Sequence, residues 1–137
     1  MKRFLLAFVA AYIFIFAWGW LLNGVVLKDV YAETPSIFRP QAEMMSLFHW
    51  ILIGQAVLIL AFILIYASGF AGGGVIGGIC LGVLLEIAAI GSRMAIYAVQ
   101  PFPGKLLVYG SLSGFVEMAV VGAIVGAIYQ SRPSAPA

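Results

Sequence analysis

Charge is what this chain has least of. Its 137 residues include seven basic and five acidic side chains, 9% in all, against 64% hydrophobic residues. A soluble domain carries about a quarter charged residues. A water-solvated surface is thereby excluded, and at a mean hydropathy of +1.14 the class is integral membrane. The net charge of +2 is too small and too scattered to point to nucleic acid. There is one cysteine, Cys80, which cannot close an internal disulfide or supply a redox pair. There is one histidine, His49, so neither a bis-histidine haem nor a multi-histidine metal site can be built within one chain. No nucleophile–base pair, metal-ligand spacing or phosphate-binding loop is present, so no enzyme, metal or cofactor is expected.

What is there is apolar length. A crossing needs ~20 apolar residues, and the sequence divides into four such runs at about 4–27, 48–69, 74–99 and 106–129. They predict an all-α fold: one four-transmembrane-helix bundle of two helical hairpins over 1–130, with the lipid bilayer as its principal partner. The first run follows Lys2 and Arg3 as a signal peptide would. It exceeds the ~7–15-residue core of a signal and lacks a small-x-small cleavage site, which predicts an uncleaved helix. Trp18 and Trp20 suit an interfacial belt.

The segment 28–47 is the one long polar connection, and its prolines at 35 and 40 stand where helices begin. A helix starting at Pro40 and running into the second span would lay Met44, Met45, Leu47 and Phe48 in the interface. Residues 131–137 read as a disordered tail. Lys2, Arg3 and Arg132 would lie inside, against Lys28, Arg39 and Lys105 outside. The first helix breaks this tie and predicts cytoplasmic termini, an extracytoplasmic 28–47 loop and a multi-pass protein of the inner (plasma) membrane.

Glycines recur at four-residue spacing: Gly74, Gly78 and Gly82 on the third span, and Gly110 and Gly114 on the fourth, with Gly122 and Gly126 later. Such faces let helix backbones approach closely. Their plainest role is helix packing; lining a narrow pore is the sharper alternative.

Glu86 and Arg93 lie seven residues apart inside the third span, hence on one helix face, and Glu117 shares a face with Gly110 and Gly114 on the fourth. A charge at the bilayer centre costs ~3 kcal/mol on insertion scales, so these groups face protein or water. Counting depth from Pro101 and Lys105 predicts that Arg93 pairs with Glu117 and leaves Glu86 as the odd carboxylate. The trio is either a buried clasp that fixes helix register or a proton or cation site. Asn23, His49, Gln55, Tyr97 and Ser111 fall in the outer half. Together they could line an outward polar pocket; singly, each suits an interhelical bond or an interface anchor.

The stretch "WGWLLNGVVLKDVYAETPSIFRPQAEMM", with the turn "YAVQPFPG", resembles a family of small bacterial four-helix membrane proteins. The shared features are a tryptophan-bearing first helix, a loop motif over Tyr31–Pro35 and Arg39–Met45, and the turn Val99–Gly104. The resemblance implies the four-helix fold and carries over no catalytic residue, ligand or cofactor. Two functional expectations follow. The first is a non-enzymatic accessory, structural or self-associating bundle, as a homo-oligomer or within a larger membrane complex. The alternative is a small oligomeric transporter or channel, coupled to protons or cations through Glu86 and Glu117.

Overall fold

The computed structural model describes residues 1–33 and 37–130. Thr34, Pro35 and Ser36, and the expected tail with Arg132, lie outside the described residues. The protein is all-α, with no strand among the described residues. In hydrocarbon, backbone N–H and C=O groups have no water to bond, and a helix satisfies them internally.

Helix α1 covers Lys2–Leu21 and continues as a wider π-type turn over Leu22–Val26. Two short helices follow, α2 (Lys28–Ala32) and α3 (Gln41–Ser46). Pro40 supplies the extended residue from which α3 starts (φ −53°, ψ 146°). The expected continuous helix from Pro40 into the second apolar run is broken at Leu47 (φ −100°, ψ 6°), where α4 (Phe48–Ile65) begins. The Ser46 hydroxyl donates to the Glu43 carbonyl at 2.7 Å, and such back-bonding favours a bend.

Helix α4 leads through a π-type turn (Tyr66–Phe70) and a 3₁₀ turn (Ala71–Gly73) into α5 (Gly74–Val99). Gly74 takes φ 54°, which favours glycine. Tyr66, fully buried, donates its hydroxyl to the Gly74 carbonyl at 2.9 Å and fastens this junction. Helix α5 stops where Gln100 turns extended (φ −119°, ψ 130°), as a residue before proline prefers. Pro103 then opens α6 (Gly104–Tyr129).

Among the described residues, three helical stretches are long and apolar enough to cross a membrane: Lys2–Val26, Phe48–Val99 and Gly104–Tyr129. They make this a membrane protein. The middle one, 52 residues long, contains the turns at 66–73.

Helices α5 and α6 form the tightest pair; α1 lies against α6 and also against α4. Ala7, Ala11 and Ile15 form the buried stripe of α1, packed with Ile59, Phe62 and Ile63 of α4, with Tyr66 of the turn after it, and with Met118, Val121 and Val125 of α6. Two polar bonds tie α1 in place. Trp18 Nε1 donates to Ser113 Oγ at 2.8 Å, and the Tyr12 hydroxyl donates to the Leu52 carbonyl at 3.1 Å.

Candidate functional site: a charged cleft between α4, α5 and α6

The site is set by the register of α5 on α6. Gly78 and Gly122 lie backbone to backbone, so that a Cβ on either would strike the other's carbonyl. Gly82 meets the Met118 carbonyl in the same way, and Gly126 meets Gly74. Each contact is one four-residue step along both antiparallel helices. The next step brings Glu86 opposite Gly114, where the Glu86 carboxylate fills the space a Cβ on Gly114 would need. Gly114 is thus a notch for a carboxylate rather than a backbone contact. Gly110, expected on the same packing face, has open space around its missing Cβ. The close contacts instead run toward the other end of α6, to Gly122 and Gly126.

Glu86 is 2% exposed. It accepts from Arg93 twice: a short Nη1–Oε1 contact and an Nη2–Oε2 bond of 3.4 Å. This corrects the expected pairing of Arg93 with Glu117. Carried outward, the glycine register places Arg93 level with Leu107, about ten residues (~15 Å of helix) from the level of Glu117. Depth counted from Pro101 and Lys105 centres the hairpin about three residues too late, which shrinks this offset to about four residues (~6 Å). Helical side chains lean toward their own N-terminus, so Arg93 points back along α5 to Glu86, two turns away.

Glu117 is half-buried, and among the described residues it makes no hydrogen bond or ion pair. It lines the same cleft as Glu86 and Arg93, a space of about 250 Å³. Helix α5 contributes Leu85, Glu86, Ala89 and Arg93 to its walls, and α6 contributes Gly114, Glu117 and Met118. The facing wall is apolar: Leu58, Ala61, Phe62 and Ile65 of α4. Sequence reasoning missed that wall. Every residue of α4 near it is hydrophobic, so no face of the helix stands out. Chemically, the cleft holds two carboxylates against one guanidinium. A single proton or a single monovalent cation brings it to neutrality.

The five outer polar residues line neither this cleft nor the second one described below. Asn23 donates to the Gly19 carbonyl at 2.9 Å and accepts from the Tyr31 hydroxyl at 2.7 Å. His49 is exposed beside Trp50, and Tyr97 is exposed and packs edge-on to Phe102. Gln55 lies near Gly19, with its Oε1 buried and unbonded, and Ser111 Oγ is likewise buried without a partner. Ser113, two residues further along α6, makes the bond to Trp18.

A second cleft of about 300 Å³ lies in the loop layer among Tyr31, Ile37, Phe38, Gln100, Phe102 and Leu106. Burial there pushes the Tyr31 phenol above its ordinary value. Lys105 Nζ lies 3.9 Å from Glu33 Oε2, linking the 28–47 segment to the first turn of α6. Among the described residues no group of three or more His, Cys, Asp or Glu gathers to hold a metal ion.

No family model, curated protein or solved structure matches this chain.

Proposed function

We propose that the chain is a non-enzymatic protein of the inner (plasma) membrane that crosses it four times, keeps both termini in the cytoplasm, and passes a proton or monovalent cation through Glu86, Arg93 and Glu117. The observation that carries this reading is Glu117. It is a carboxylate beyond the one guanidinium can neutralise, it has no hydrogen-bond partner among the described residues, and it stands in a cleft. Ionisable groups at membrane depth mark ion or substrate paths by default, because each is costly to keep there.

Four crossings are favoured by the middle stretch. Its 52 residues are more than twice what one crossing needs, and Tyr66 bonds to Gly74, eight residues on, across the turns. The cytoplasmic placement of the termini rests on Lys2 and Arg3. Four helices rarely enclose a path alone, so the working unit is an oligomer.

Proton flux into proteoliposomes under an imposed potential tests the reading. Glu117→Gln keeps size and removes the titratable group; it should lower flux about tenfold or more, while the variant elutes and folds as wild type. Flux equal to that of empty liposomes for the wild type would reject the reading.

The backbone-to-backbone contacts of α5 and α6 favour a second reading, a rigid accessory bundle in which the charges only fix register. A stoichiometric larger complex in mild detergent, without flux, would support it.

A further inference from the structure

The cleft has two unlike sides. Both bonding nitrogens of Arg93 turn to Glu86, and Glu117 is left to meet whatever enters. The opposite side, Leu58, Ala61, Phe62 and Ile65, offers only hydrocarbon and one aromatic ring. A proton alone has no use for that apolar side. An inorganic cation prefers a shell of several oxygens, whereas the lining supplies no hydroxyl, amide or further carboxylate beyond the charged trio. A second copy docked cleft to cleft would bring two clusters of the same surplus sign together in a medium of low dielectric. An occupant with one positive charge and an apolar body satisfies both sides. At about 250 Å³ the space is below the ~300–1,000 Å³ of sites for drug-sized ligands, so the occupant is small.

We infer that the cleft between α4, α5 and α6 is a binding site for small organic monocations, protonated amines or quaternary ammonium ions. The charged head lies on Glu117 and the apolar body against Phe62 and its neighbours on α4. Arg93 has a defined part: by balancing the charge of Glu86 it leaves a single negative charge in the cleft, which sets the preference for monocations over dications. The inference rests on the reading of the trio as a working site and names what that site takes.

The experiment uses the full chain in mild detergent and two ligands of one shape. These are benzyltrimethylammonium and neopentylbenzene, in which carbon replaces the charged nitrogen. Calorimetric titration should show saturable binding of the cation and none of its neutral twin. Glu117→Gln should weaken cation binding about tenfold or more, since a charge-paired contact is lost. Ala61→Phe, which fills the apolar side and touches no charge, should abolish it, and Glu43→Gln on α3 should leave it unchanged. Equal binding of both ligands, or cation binding indifferent to both Glu117→Gln and Ala61→Phe, would overturn the inference. No cation binding alongside Glu117-dependent proton flux would overturn it too, while leaving the proposed function standing. Cation binding without any flux would uphold the site and remove the transport.

Discussion

The Glu86 carboxylate occupies the volume that Gly114 leaves by having no side chain. One helix thus carries the charge and its neighbour the recess that receives it, at the fourth of four regular contacts between α5 and α6. Gly114→Ala should therefore displace Glu86 and disturb Arg93 with it. Overpacking of this kind costs ~1–3 kcal/mol. Gly110→Ala, which meets open space, is the matched control and should be near neutral. Unfolding in detergent checks the pair; equal effects would mean that the α5–α6 register is different.

Further along the same interface, Gly78→Leu should loosen the hairpin more than Gly91→Leu. A side chain at Gly78 strikes the Gly122 backbone, and one at Gly91 meets nothing. Crosslinking between cysteines placed on α5 and α6 reads this out, with the yield falling for Gly78→Leu alone.

Tyr66→Phe removes one hydroxyl and leaves the buried Gly74 carbonyl without that donor. The expected loss is ~0.5–1.5 kcal/mol. Amide exchange should quicken around 66–78 and stay unchanged in the middle of α6, which isolates the effect to the junction of α4 and α5.

Topology is open to labelling. On a Cys80→Ala background, Gln41→Cys should react with an impermeant thiol reagent in intact cells, and Ser134→Cys only after the cells are opened. The reverse pattern would invert the orientation drawn from Lys2 and Arg3.

The charged trio was legible because its signal is strong: seven residues make nearly two turns, and ionisable groups in so apolar a segment stand out. The start of α5 at a glycine and its end before Pro101 are local backbone chemistry, and were legible for that reason. The pairing within the trio was not. It depends on where the hairpin is centred, and a shift of three residues carries Arg93 from one carboxylate to the other. Gly110 misled because four-residue spacing gives a face but not its extent; the contacts continue to Gly122 and Gly126 and stop short of Gly110. The apolar wall on α4 was silent because that helix is hydrophobic all round, as a lipid-facing helix is, so no periodicity marks its inner face.

Everything proposed for the cleft depends on Arg93 belonging to Glu86, which leaves Glu117 free. Two double-mutant cycles on thermal stability decide this, one at positions 86 and 93 and the other at 93 and 117. Arg93→Ala alone strands a buried carboxylate and should cost ~3–5 kcal/mol. Adding Glu86→Gln should recover much of that loss, and adding Glu117→Gln should recover little. Strong coupling of Arg93 to Glu117, with none to Glu86, would contradict the account.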